Sequence, residues 1–199
     1  MENYQARLAG LPESLTSSLI GQLGFILTPI LMPITDHVQK AASCIGQNYF
    51  ALPVCGMPTP IKRERVYCYE LYHQLRCLSL GTTVTAEPDK RGHPSFAAGR
   101  APNPDMVFHM PGGDSNNAAV IEVECSPTLR HLRKDLGTLK IMKEHGYREL
   151  ILLLFSISAI PWRQIESAAR SAQLDLSAVV VLLHPAAGQK AAVACPPKA

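Results

Sequence analysis

The run Glu149 to Ser156, ELILLLFS, constrains the fold of this 199-residue chain more than any other segment. Side chains of a strand alternate between its two faces, and here both faces are apolar, so the segment needs cover on both sides. Thr128 to Lys143 precedes it, with Leu129, Leu132, Leu136 and Leu139 on one helical stripe. Pro161 to Ala172 follows as a further helix and Leu176 to Leu183 as a further strand. A helix, a doubly buried strand, a helix and another strand point to an α/β sheet with helices on its faces.

Upstream, Lys62 to Leu80 places Cys68, Leu71, Leu75 and Leu78 at helical spacing, and Gly81 supplies a stop. Glu64, one turn before Cys68, is expected on the inward side. Thr82 to Glu87, Asp105 to Met110 and Ala118 to Cys125 read as strands, the last two joined by the turn-rich PGGDSNN. The order α, β, β, β, α, β, α, β describes a mixed sheet flanked by helices. Residues 1–60, partly helical and broken at Pro53, Pro58 and Pro60, form an N-terminal extension; 61–184 form the main domain. The tail 185–199, rich in Ala, Pro and Gly, is expected to be disordered.

Composition adds limits. At 47% hydrophobic and 18% charged residues the chain suits one globular domain. A net charge of +3 neither supports nor excludes a nucleic-acid partner. The six cysteines form no C-x-x-C pair and the start lacks a signal-peptide pattern, which reads as a cytoplasmic chain with reduced thiols. The apolar stretch Leu19 to Ile34 is interrupted by Gln22, Pro29 and Pro33 and is shorter than the ~20 residues of a spanning helix, so it is read as a packing or dimerisation element.

In AAVIEVEC, alternation puts Ile121, Val123 and Cys125 on one face and Val120, Glu122 and Glu124 on the other. Two carboxylates therefore share one face of an apolar strand. A hairpin centred on Gly113 and Asp114 sets a third, Asp105, directly across from Glu122. Like charges opposite one another destabilise a sheet, and burying them unpaired costs more. A cation between them, or a retained proton, makes the arrangement reasonable. Grouped hard oxygen donors suit Mg²⁺ or Mn²⁺.

The combination NPDMVFHMPGG followed by IEVE resembles the signature of the PD-(D/E)XK nuclease superfamily. Similarity extends over roughly residues 62–156. It implies a restriction-endonuclease-like αβββαβ core, with Asp105 and Glu122 holding one or two Mg²⁺ or Mn²⁺ ions and Glu64 completing the metal shell. It implies a metal-dependent nuclease acting on nucleic acid, DNA ahead of RNA, in bacterial defence or DNA processing. The superfamily's lysine, two residues after the second acid, is Glu124 here. Some members similar to this pattern use Glu there, as a group that accepts the water's proton or serves a second metal. Alternatively the cation comes from the next helix, where Arg130, Lys134 and Lys140 are available.

Duller readings compete. Pro-Asp before a strand is common in turns, and a solvent-facing edge strand would show the same acid alternation. Glu64 could simply sit in the first turn of a helix, and Glu87 in a turn before Pro88. His73, His93, His109 and His131 lack ligand spacing and read as surface or packing residues. Arg130, Arg133 and Lys134 could contact phosphates, yet charges opposite a leucine stripe are what any surface helix shows. P-loop, nucleophile-elbow and dinucleotide fingerprints are absent. The rival to an active nuclease is a pseudo-nuclease that binds nucleic acid or protein, either as a homodimer or docked onto a larger complex through its N-terminal region.

Overall fold

The computed structural model describes residues 32–91, 93–96, 101–112 and 116–197. The first 31 residues of the expected N-terminal extension, with most of the apolar stretch from Leu19, and the hairpin centre at Gly113 and Asp114 lie outside these residues. We number the elements α1 (Ile34–Ala42), α2 (Gln47–Phe50), α3 (Glu64–Arg76), β1 (Thr83–Ala86), β2 (Met106–His109), β3 (Ala119–Glu124), α4 (Leu129–Glu144), β4 (Glu149–Phe155), α5 (Trp162–Ala172), β5 (Val179–His184) and β6 (Ala192–Ala194).

The strands form one mixed sheet of six, in sequence order. β1, β2 and β3 are antiparallel neighbours, β3, β4 and β5 run parallel, and β6 returns antiparallel to β5. The apolar run is central: Ile151, Leu153 and Phe155 pack on one side with α1 and α3, and Leu150, Leu152 and Leu154 on the other with α4 and α5. β3 divides likewise. Ile121 and Val123 join the α3 side, and Val120 joins the α4 side. The α4 stripe behaves as expected, with Leu132, Leu136, Leu139 and Met142 fully buried and Leu129 at its margin.

Three expectations need correction. The tail is not without structure: Ala192–Ala194 extends the sheet, Ala191 is fully buried, and the Gln39 amide donates to the Ala191 carbonyl at 2.7 Å. A three-residue strand of small side chains has too little periodicity to stand out, and its partner strand specifies it. Nor is everything before residue 60 an extension, because α1 onward belongs to the same compact unit as the sheet. The last parallel strand starts later than expected, since the Asp175 carboxylate accepts from the Ser177 amide at 3.0 Å and turns Leu176–Ala178 into a short 3₁₀ segment.

One long-range contact ties α1 down. The Glu149 carboxylate, at the start of β4, accepts from the backbone amides of Ile34 (2.8 Å) and Thr35 (3.0 Å) and from the Thr35 hydroxyl (2.9 Å). Residue 33 is proline and offers no side-chain cap, so a distant acid satisfies the helix's free donors and meets the positive end of its dipole. Glu149→Ala is expected to lower unfolding stability by about 1–2 kcal/mol, the usual cost of losing a cap. Urea unfolding measures it, and faster amide exchange should concentrate in α1.

Candidate metal centre

The pairing of β2 with β3 sets Met106 opposite Ile121 and Val107 opposite Val120. Extending that register one step places Asp105 across from Glu122, as the hairpin reading requires. Asp105 is tethered there, its Oδ2 accepting from the Val123 amide at 2.7 Å. Glu122 is fully buried, and neither of its carboxyl oxygens has a partner in hydrogen-bonding geometry. It is not on a solvent-facing edge strand, because β3 lies between β2 and β4 and α4 packs against it.

The helix α4 supplies the surroundings. His131, Lys134, Asp135 and Thr138 recur at the i, i+3, i+4, i+7 spacing of one helical face, beside the leucine stripe. The His131 imidazole pairs through Nδ1 with Glu124 Oε2 at 2.9 Å, and the other oxygen of Glu124 accepts from the Ser126 amide at 2.5 Å. Lys134 reaches Asp135 Oδ1 at 3.5 Å, while Asp135 is itself buried with its second oxygen unpartnered. Lys134 and Thr138 line a cleft of about 250 Å³ together with Glu64, Cys68, Glu87 and Asp105.

Of the three candidates for the missing lysine's role, Arg130, Lys134 and Lys140, Lys134 is the one among the acids. Lys140 is engaged with Glu144 at 3.0 Å. Arg130 and Arg133 are exposed along with Lys134 on the outer part of α4. More than two-thirds of the Lys134 side chain is accessible to solvent. Burial works against its charge, but the neighbouring carboxylates of Glu122, Asp135 and Asp105 outweigh this and raise its pKa.

Electrostatics mark the carboxyl groups as strained by their placement. Burial, and then the nearby charges of Asp105 and Asp135, push Glu122 well above the ordinary range. Burial raises Asp105 as well, against the opposing effect of the Val123 amide. Glu64 rises to about 7, through burial and then through Asp105, Glu124 and Asp135. Asp135 also rises to about 7, chiefly through burial, with Lys134 opposing. Glu64 begins α3 and is half-buried; its carboxylate, that of Glu124 and the Cys125 thiol lie within 4.8 Å of one another. Burial, then Glu64 and Glu124, raise that thiol to about 11, which keeps it protonated at neutral pH. Glu87 is turned toward Arg65 at 3.0 Å.

All four carboxylates singled out in the sequence thus gather at one end of β2 and β3. Asp135, His131 and Cys125 were missed. Asp135 had a readable signal, a charged residue on the inward side of an amphipathic helix; His131 had none, since its pairing with Glu124 depends on the angle at which α4 leaves the end of β3. Comparison with known families, curated proteins and solved structures returns no match.

The unpartnered Glu122 carboxyl and the hard oxygens of Asp105 fit a divalent cation, which would supply the missing partner. A carboxyl whose folded pKa is raised favours folding below the ordinary carboxylate range and loses that contribution as pH rises through its folded pKa. His184 acts oppositely: burial lowers its pKa, so its contribution is lost as pH falls. Glu122→Met separates the two. In chelator at about pH 8 it should raise unfolding stability by about 1–3 kcal/mol, the scale for removing a buried unpartnered polar group, and flatten the decline of Tm between about pH 5 and 8. Calorimetry checks this, and a lower Tm for the variant would show that Glu122 has a stabilising partner.

Proposed function

We propose that the protein is a metal-dependent nuclease of the restriction-endonuclease-like type, hydrolysing nucleic-acid phosphodiesters. One observation carries the reading: a fully buried, unpartnered Glu122 carboxyl faces Asp105 from the adjacent strand. The order of helix, three strands, helix and strand over Glu64–Phe155 supports it. So does the resemblance of NPDMVFHMPGG and IEVE to the superfamily signature, with Glu124 in the place of its lysine.

On this reading Asp105 and Glu122 would hold Mg²⁺ or Mn²⁺, with Glu64 at the edge of the same cluster. The bound ion would polarise the scissile phosphate and lower the pKa of a water. The chain's own residues do the rest. Lys134 would take the part of the superfamily's strand lysine, bringing positive charge from α4 toward the acids and offsetting charge that develops on a phosphate. Arg130 and Arg133 are available to phosphates on either side. Glu124, paired with His131 and the Ser126 amide, orients the imidazole and closes the strand end.

That same pairing favours the second reading, a nuclease-like binding module. A carboxylate with both oxygens occupied is less free to accept a proton from water, so the fold could serve recognition alone. Cleavage of labelled single- and double-stranded DNA and RNA with Mg²⁺ or Mn²⁺ separates the two. The expected outcome is metal-dependent cutting that Asp105→Ala abolishes and Lys134→Ala lowers by about 10²–10³-fold, the scale for losing one preorganised electrostatic group. Metal-independent binding without cutting by the intact chain would decide for the binding module. No helix among the described residues is long and apolar enough to cross a membrane, and no membrane partner is invoked.

A further inference from the structure

The end of β3 carries a second group of donors, chemically unlike the facing pair of Asp105 and Glu122. A carboxylate oxygen of Glu64, one of Glu124 and the Cys125 sulfur lie within 4.8 Å of one another, and among the described residues no other three such donors come this close. Glu64 opens α3, Glu124 ends β3 and Cys125 follows at once. Glu124 is buried, and the other two are half-buried.

We infer that Glu64, Glu124 and Cys125 bind a borderline divalent cation of the Zn²⁺ class, through two carboxylate oxygens and a thiolate.

Donor chemistry selects the ion. A thiolate favours Zn²⁺ over Mg²⁺, which keeps to oxygen ligands. Round a tetrahedral ion with bonds of about 2.0–2.3 Å, donors stand on the order of 3.5 Å apart. Little contraction is needed, and Glu64 opens on the adjoining cleft. Outer contacts already orient the Glu124 carboxylate. The Ser126 amide donates to Oε1 at 2.5 Å, and His131 Nδ1 stands 2.9 Å from Oε2. Ligating carboxylates are commonly held in this way, and each oxygen keeps a second lone pair for the ion. The neighbouring cations have partners elsewhere: Lys62 donates to the Ser156 carbonyl, Arg65 pairs with Glu87 at 3.0 Å and Lys134 reaches Asp135 at 3.5 Å. Cys68 adds an independent observation. Its thiol is 5% exposed, makes no hydrogen bond among the described residues, and lines the same cleft one turn along α3 from Glu64. A thiol is a weak donor and gives the acids little relief, whereas a second sulfur facing the site strengthens its preference for a thiophilic ion. As the metal–sulfur bond forms, the Cys125 proton passes to solvent. The site does not depend on an ion at Asp105 and Glu122.

The test is titration of the full, reduced chain with Co²⁺, a spectroscopic stand-in for Zn²⁺. One equivalent should produce the near-ultraviolet band of a cobalt–thiolate bond, which Zn²⁺ abolishes and excess Mg²⁺ leaves in place. Cys125→Ser should remove the band. His131→Ala should weaken Co²⁺ by about 10–100-fold, the range for losing an outer partner, and Glu64→Gln at least as much, while Asp105→Ala keeps the band. In the parent chain, Zn²⁺ should suppress maleimide labelling of Cys125 while the exposed Cys44 and Cys77 react as before. The proposal is overturned if no band appears, if Cys125→Ser retains it, if Glu64→Gln binds Co²⁺ like the parent, or if Cys125 labels equally fast with and without Zn²⁺. No cleavage is measured, so failure here leaves the nuclease reading standing, and a chain that cuts no nucleic acid leaves this result intact.

Discussion

Glu122 is placed by the sheet, not by its own chemistry. β3 is hydrogen-bonded on both edges and covered by helices on both faces, so a side chain pointing toward α4 from its middle is cut off from water. Charge there can be relieved by a proton, by a neighbouring cation or by a bound ion. The cluster divides these means unevenly. Asp105 has the Val123 amide, Glu124 has His131 and the Ser126 amide, and Asp135 has Lys134 at 3.5 Å. Glu122 has none. The position where an added cation would gain most is therefore the one the fold isolates best, which ties the stability of the metal-free chain to the chemistry proposed for it.

The doubly apolar β4 and the leucine stripe of α4 were legible because burial on two faces, or on one helical face, leaves a period in the residue types. The opposition of Asp105 and Glu122 was legible too, since hairpin symmetry and a side-chain period of two leave little freedom in register. What could not be read depends on how separate elements meet in space. The Glu149 carboxylate reaches the amides of Ile34 and Thr35 from another layer. The pairing of His131 with Glu124 needs a helix N-terminus delivered to a strand end. β6 is specified by the free edge of β5 more than by Ala192–Ala194 themselves. The choice of Lys134 over Arg130 and Lys140 required the rotation of α4 about its axis.

That rotation is set by the core. Leu132, Leu136, Leu139 and Met142 bury one side of α4 against the sheet, and a helix anchored along four positions cannot turn without exposing them. Successive residues on a helix are about 100° apart, so anchoring this stripe also fixes the adjacent ridge of His131, Lys134, Asp135 and Thr138 over the strand carrying Glu122 and Glu124. The apolar residues thus position the polar ones. A cation delivered by a helix has more reach than one fixed on the strand, because lysine's stem can lie along the surface while its ammonium meets the acids. The high accessibility of the Lys134 side chain beside a buried Asp135 is consistent with that geometry.

The net charge of +3 conceals how charge is distributed. Carboxylates gather where β2 begins and β3 ends, and lysine and histidine gather where β2 ends and β3 begins. Antiparallel strands make this separation easy: each crosses the sheet once, so a few residues at opposite ends of one hairpin serve two different environments. Protonation is favoured at Glu122 and disfavoured at His109, in both cases first through burial and then through neighbouring charges. Like charges held together by a packed scaffold repel, and the repulsion diminishes when a counter-charge arrives.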